Sequence, residues 1–220
     1  MTFSILSRDP ETGAIAGAAA TGSLCVGGWV LFGDLAGGMS ASQGAAPSTF
    51  WGEDVLTEMA SGAAADAAVQ AVAARDKGCS FRQLSALDLR GGTGAFTGDD
   101  NQDWKGALEF PGGIAAGNML SNADVLPAMV DAYLAAGGTI AEKMLAALVA
   151  GEQAGGDFRG LMSAALLVLH PDSAPLTLRV DYSDAPVQAL QNLHSRATTG
   201  DYAGWARQVP SQNDPFRTLD

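Results

Sequence analysis

The second residue of the chain is the first candidate for covalent chemistry. Removal of Met1 would leave Thr2 with a free α-amine beside its own hydroxyl group. Such an amine titrates at roughly 7.7–8.0, much nearer to neutral than a lysine side chain, so it can accept the hydroxyl proton at physiological pH. Thr2 is therefore predicted to be a nucleophile that carries its own general base, a combination that can cleave an amide bond.

Other residue types that commonly do covalent or metal chemistry are sparse. His170 precedes a proline at a strand end and His194 closes a helix, so both are interpreted as structural. No His-Glu-x-x-His or comparable cluster occurs, and no metal or other cofactor is predicted. The glycine-rich segments 92–98 and 112–118 lack the spacing of a dinucleotide fingerprint and the lysine of a P-loop.

Four further side chains are candidates for binding a substrate. Asp157 and Arg159 lie in a glycine-rich turn between a predicted helix and strand, where the pair could orient a substrate amide or carboxylate. The alternative is a helix C-cap with a surface ion pair. Asn118 follows a strand and is either an oxyanion donor or a turn residue, and Gln43 at another strand end has the same ambiguity.

Composition restricts the classes of partner. The 220 residues are 47% hydrophobic and 16% charged, which predicts one large packed domain. The net charge of -12 repels phosphate backbones and anionic lipids, so neither nucleic acid nor a membrane is an expected partner. Cys25 and Cys79 are interpreted as free thiols and no signal peptide is seen, so a cytoplasmic location is expected. The uncharged segment 13–33 is broken by six glycines and is interpreted as buried strands rather than a membrane helix.

Hydrophobic periodicity predicts the elements that must position these residues. Strands are predicted over 2–8, 14–20, 26–35, 39–43, 82–88, 94–97, 114–116, 163–169 and 176–180. Helices are predicted over 51–59, 64–75, 123–136, 140–154 and 187–193, with a polar tail from residue 195 that packs on the same domain. This clustering favours an α+β fold, with sheets covered by helices, over a doubly wound parallel sheet.

Several short segments, in order, carry a family resemblance. They are TFSI at 2–5, RDPETG at 8–13, GNML at 117–120, AL at 147–148, GE at 151–152, AGGD at 154–157, RG at 159–160, SAAL at 163–166 and LRVD at 178–181. Together they resemble the bacterial family known as domain of unknown function 1028, which is similar to N-terminal-nucleophile (Ntn) hydrolases, and the likeness spans residues 2–194. The resemblance implies a four-layer αββα sandwich of two antiparallel sheets over residues 1–194, with 195–220 as a tail.

The wider Ntn superfamily implies roles for individual residues. Proteasome β subunits also begin with threonine on a hairpin strand, so Thr2 matches the nucleophile, and Ser163 matches a serine expected near its amine. Asn118 or a backbone N–H would then hold the oxyanion, while Asp157 and Arg159 would position the substrate. The implied reaction is hydrolysis of a small amide or related non-peptide C–N bond.

A second hypothesis is a catalytically silent protein of the same fold that binds a small ligand or a partner. The first lysine of the chain is Lys77, whereas proteasome subunits use one about thirty residues after the threonine. Met162 also stands where the family resemblance leads us to expect glutamine. A homodimer is expected by analogy with other folds of this size and type.

Overall fold

The computed structural model describes residues 2–219, which form two antiparallel sheets and the helices that cover them. The strands are β1 (Thr2–Arg8), β2 (Ile15–Thr21), β3 (Leu31–Asp34), β4 (Gly38–Gly44), β5 (Arg82–Asp88), β6 (Thr93–Thr97), β7 (Gly106–Phe110), β8 (Gly113–Asn118), β9 (Ser163–Leu169) and β10 (Leu176–Val180). The helices are α1 (Val26–Trp29), α2 (Thr49–Ala60), α3 (Ala65–Ala74), α4 (Val125–Ala135), α5 (Ile140–Gln153), α6 (Pro186–Thr198) and α7 (Gly200–Ala206). A six-stranded sheet has the order β10-β9-β2-β1-β8-β7, and a four-stranded sheet has the order β3-β4-β5-β6.

Three apolar cores separate four layers. The first core lies between the six-stranded sheet and helices α4, α5 and α6, and includes Phe3 and Leu148. The second lies between the two sheets and includes Leu6 and Met39. The third lies between the four-stranded sheet and helices α2 and α3, and includes Trp51. The predicted α+β class with two antiparallel sheets is confirmed.

Strand β1 is central in the larger sheet, and its alternation sets up the site. Phe3 and Ile5 point into the core under the helices, whereas Leu6 points into the core between the sheets. Since side chains alternate along a strand, Thr2 also faces the space between the sheets. The β1–β2 turn contains Gly13 at φ 77, a left-handed conformation that glycine adopts without a Cβ clash.

The prediction of an extended segment over 26–35 is wrong in its first half. Val26–Trp29 forms one helical turn, in which Val30 N donates to Val26 O at 2.9 Å. Val26 and Val30 are both buried, and their spacing of four residues is typical of a helix. This spacing was overlooked in an uncharged segment that was predicted as a strand. Only Leu31–Asp34 is extended there, as β3.

Most other predicted elements are confirmed, and their ends differ by a residue or two. Helix α6 runs five residues beyond its predicted end, and β7 and α7 were not predicted. The tail lies against the β9–β10 turn, where Asn213 N donates to Pro171 O at 2.9 Å. The uncharged segment 13–33 forms β2, α1 and the start of β3. Within residues 2–219, every helix is too short or too polar to cross a membrane.

Candidate active site

A cavity of about 420 Å³ opens at the first residue of β1, between the two sheets. It is lined by Thr2, Thr21, Ser23, Leu24, Val26, Trp29, Val30, Gln43, Gly44, Ala45, Pro47, Gln102, Met119 and Arg159. Arg159 is the one charged residue among these described lining residues. The cavity therefore combines the hydroxyl groups of Thr2, Thr21 and Ser23, several apolar side chains and a single guanidinium group.

Thr2 is held from three directions. In the sheet it lies directly opposite Thr21 of β2 on one side and Asn118 of β8 on the other. Its Oγ1 lies 3.2 Å from Thr21 Oγ1, and its carbonyl oxygen accepts a hydrogen bond from Gln43 Nε2 at 3.3 Å. The residue is only 7% exposed, yet it lines the cavity. Met1, whose removal would free the Thr2 amine, lies outside the described residues.

A buried network of three side-chain amides supports Thr2, and Gln83 on β5 is its hub. Gln83 Nε2 lies 2.8 Å from Gly117 O, 3.1 Å from Gly106 O and 2.9 Å from Thr97 Oγ1. The two carbonyl oxygens can only accept hydrogen bonds, so the nitrogen of the Gln83 side-chain amide must point toward them. Gln83 Oε1 must then face the other way.

The hub in turn orients the two predicted amides, Gln43 and Asn118. Gln83 Oε1 accepts from Gln43 Nε2 at 2.7 Å and from Asn118 Nδ2 at 3.1 Å. Both amides thus present nitrogen to Gln83, which leaves Gln43 Oε1 and Asn118 Oδ1 buried and without a hydrogen-bond partner among residues 2–219. Most buried polar atoms in native proteins are paired, so each of these two acceptors beside Thr2 would be completed by an N–H or O–H donor from a bound water or a ligand.

Asp157 and Arg159 form an ion pair at the rim of the cavity. The Asp157 carboxylate accepts from Arg159 Nε at 3.1 Å and Nη2 at 2.9 Å, and also from Gly22 N at 2.7 Å. The side chain of Asp157 is 0% exposed, whereas that of Arg159 is 37% exposed. The hydrogen bond to Asp157 raises the pKa of Arg159.

This geometry bears on the alternative interpretation of the turn, a helix C-cap with a surface ion pair. Gly155 and Gly156, at φ 117 and 47, do end helix α5, as a C-cap requires. The pair beyond them is not a surface ion pair, because its carboxylate is fully buried. A Cβ at Gly22 would overlap Asp157 Oδ2, so only glycine allows this close approach.

Ser163 lies two strands from Thr2, opposite Thr21. Its hydroxyl donates to Ser23 O at 2.7 Å and accepts from Val26 N at 3.1 Å. The Ser163 hydroxyl therefore holds the 23–26 loop, which forms part of the cavity wall, and does not contact Thr2.

Two important neighbours of Thr2 were not among the sequence-based candidates. Thr21 could have been found from the hairpin register, since a 2–8 strand and a turn at 9–14 place it opposite Thr2. Gln83 carries no local signal, because it reaches the site from the other sheet. The histidines lie elsewhere: His170 Nε2 contacts Thr12 O at 3.0 Å, and neither histidine lines the cavity. Over residues 2–219, no group of three or more His, Cys, Asp or Glu side chains is placed to hold a metal ion.

Comparison with known protein families shows which family the chain belongs to. Residues 2–190 match the model described as Family of unknown function (DUF1028). The chain belongs to the DUF1028 family. It is also similar to a solved DUF1028 protein, a crystal structure from Silicibacter pomeroyi, with 60% sequence identity and a TM-score of 0.96 over 100% of this chain and 99% of the other. Among the curated proteins, none matches this DUF1028 chain.

Proposed function

We propose that this DUF1028 protein is an Ntn-type hydrolase that acts on a small amide or a related non-peptide C–N bond. The observation that carries the proposal is the placement of Thr2. The second residue of the chain presents a hydroxyl to a cavity at the start of the central strand, where an amine freed by removal of Met1 would lie on the same residue. The resemblance to Ntn hydrolases is consistent with this arrangement.

The reaction would run in two halves. Thr2 Oγ attacks the carbonyl carbon of the substrate while its proton passes to the α-amine. The α-amine then gives that proton to the leaving nitrogen, and the C–N bond breaks to leave an ester on Thr2. Water attacks this ester, the bond to Oγ breaks, and the Oγ proton is restored as the carboxylic acid departs.

The surrounding amides supply the electrostatic part of the mechanism. Asn118 lies beside Thr2 in the sheet, although it is fully buried and is not among the described residues that line the cavity, and one hydrogen of its Nδ2 is held by Gln83 Oε1 at 3.1 Å. The second hydrogen of Nδ2 is our candidate donor to the oxyanion, because Met119 N, the nearest following backbone donor, is already bonded to Gln102 O at 2.8 Å. Thr21, whose hydroxyl lies 3.2 Å from that of Thr2, orients the nucleophile.

Processing and substitution at position 2 together test the proposal. The mass of the protein from its native cell should be lower by one methionine, and turnover of a responsive amide should rise with pH through roughly 7.7–8.0, where the amine becomes neutral. Thr2→Val keeps the shape and removes the hydroxyl, so it should abolish turnover, whereas Thr2→Ser should retain part of it. Full turnover by pure, folded Thr2→Val would refute the mechanism.

A second candidate function is binding without turnover. It is favoured by the absence of lysine from the described cavity lining, since a lysine near the threonine is part of the proteasome-type site. In that case small ligands would raise the unfolding temperature of the protein, and protein from which Met1 has been removed would turn over none of them.

A further inference from the structure

We infer that the cavity is built for small N-acyl amino acids: a carboxylate bound by Arg159, an amide N–H bound by Gln43, and an apolar side chain against the cavity wall. This inference rests on the proposed function for its reaction but not for its binding. It follows from three features of the cavity that the attack by Thr2 does not use.

The first feature is the free edge of the guanidinium. Asp157 occupies the Nε and Nη2 edge of Arg159, and Nη1 has no hydrogen-bond partner among residues 2–219. The edge formed by Nη1 and Nη2 therefore remains for a ligand, with geometry that matches the two oxygens of a carboxylate. Apart from its bond to Asp157, Nη2 makes only a long contact of 3.4 Å, to Ser23 Oγ. Because Asp157 holds the guanidinium in one orientation, little further ordering of Arg159 is needed on binding.

The second feature is the orphan acceptor on Gln43. This residue lines the cavity, and its Nε2 is occupied by Gln83 Oε1 at 2.7 Å and Thr2 O at 3.3 Å. Only Oε1 is left to bind a ligand, and it is buried without a described partner. It can accept a hydrogen bond from a donor placed close to Thr2, and the N–H of the amide to be cleaved lies there. A ligand that carries no N–H leaves this acceptor unsatisfied.

The third feature is an apolar wall with unusually exposed side chains. Leu24 and Trp29 are 54% and 52% exposed, although both line the cavity together with Val26 and Pro47. Large apolar groups that are exposed around a concave site favour an apolar ligand portion. The 420 Å³ cavity is large enough for a single amino acid with a short acyl group, and this sets the size of the proposed class.

Binding to the processed Thr2→Ala protein separates recognition from cleavage. The probe is N-acetyl-L-leucine, compared by calorimetry with N-acetyl-L-leucinamide, which has no carboxylate, and with N-acetyl-N-methyl-L-leucine, which has no N–H. Each comparator should bind roughly 10- to 100-fold more weakly, the range expected for loss of a hydrogen bond that involves a charge or an orphaned buried group.

Two variants in the Thr2→Ala background assign each preference to its residue. Arg159→Met should abolish the preference for acid over leucinamide and leave the preference for N–H over N-methyl. Gln43→Met should do the reverse. A merely structural defect would weaken all three ligands equally in both variants.

The outcomes also distinguish this inference from the proposed hydrolase. Selective binding without turnover by processed wild-type protein would support the ligand class and count against the hydrolase. Turnover of uncharged amides with no preference for a carboxylate would overturn the ligand class and leave the hydrolase standing. Equal affinity for the three probes, or no binding of N-acetyl-L-leucine, would overturn the inference.

Discussion

Replacement of the amide hub is the sharpest test of how the site is held together. Gln83→Met preserves length and volume but removes every hydrogen bond of the side chain. Donors on Gln43 and Asn118 then lose acceptors at 2.7 and 3.1 Å in a fully buried region. Since each buried polar group left unpaired costs about 1–3 kcal/mol, the free energy of unfolding should fall by about 2–6 kcal/mol.

Gln83→Glu adds a pH signature to the same experiment. One oxygen of the introduced carboxyl keeps the role of Oε1, but the other faces the carbonyl oxygens of Gly106 and Gly117, which only a protonated carboxyl can satisfy. The pKa of the introduced carboxyl in the folded protein should therefore lie above the unfolded value of about 4.3. Below the unfolded pKa, the carboxyl is protonated in both states and the stability of the variant does not change with pH. Between the unfolded and the folded pKa, the free energy of unfolding of Gln83→Glu falls by about 1.4 kcal/mol for each unit of rising pH.

The assay is urea unfolding followed by circular dichroism at pH 5.5 and 7.5, with unchanged m-values as the check on two-state behaviour. Gln70→Met is the matched control, because Gln70 is exposed on α3 and makes a single long hydrogen bond of 3.4 Å. The control should change the free energy of unfolding by less than about 0.5 kcal/mol. The reasoning is refuted if Gln83→Met equals the control, or if the penalty of Gln83→Glu is the same at both pH values.

Three further substitutions test individual contacts. Asp157→Asn should lower the free energy of unfolding by about 1–3 kcal/mol in urea titrations, because one buried acceptor oxygen becomes a donor that faces other donors. Burial lowers the pKa of His194 below its unfolded value of about 6.5, so stability that depends on the neutral ring is fully present above pH 6.5 and is lost as pH falls from there toward the lowered pKa. His194→Gln should therefore lack this part of the decline between pH 7.5 and 5.5. Gly52→Ala in α2 would place a methyl group against the Phe32 ring and should lower the free energy of unfolding, measured with heat or urea, by about 1–3 kcal/mol. The methyl group of Gly204→Ala in α7 would meet no atom within 4 Å, so this variant should raise the free energy of unfolding by about 0.5–1 kcal/mol.

Each of these has a result that would contradict it. The control for Asp157→Asn is Asp181→Asn, because Asp181 and its ion-pair partner Arg179 are both well exposed. An equal loss of stability in the two variants would show that burial of Asp157 is unimportant. Parallel stability curves for wild type and His194→Gln would rule out the histidine as the titrating group. Equal effects of alanine at Gly52 and Gly204 would show that the contact with the Phe32 ring is not limiting.

Local patterns in the sequence were sufficient for much of the fold. The period-two alternation of residues 2–8 and the turn at 9–13 predicted the β1–β2 hairpin, and the apolar helical faces predicted α4 and α5. The helical turn at 26–29 was missed because a single turn offers only one helical spacing, that of Val26 and Val30, and the hydrogen bond from Val26 N to Ser163 Oγ that favours the turn spans 137 residues. Strand β7 was missed because its exposed edge carries little apolar pattern.

For the site, the sequence by itself determined the chemical groups: a hydroxyl at residue 2, an amide at Asn118, and an acid and a guanidinium two residues apart. These follow from residue type and local spacing, which require no knowledge of distant contacts. Only the tertiary structure decided their relations. The facing of the two sheets brings Asn118 to Gln83, which already lies opposite Gln43 on the neighbouring strand. The pairing of β2 with β9 places Asp157 against Gly22 and the Ser163 hydroxyl against the 23–26 loop. The physical reason is that strand pairing and the packing of the two sheets join residues far apart in the chain, so the unpaired amide oxygens and the position of the Arg159 guanidinium at the cavity exist only in the folded protein.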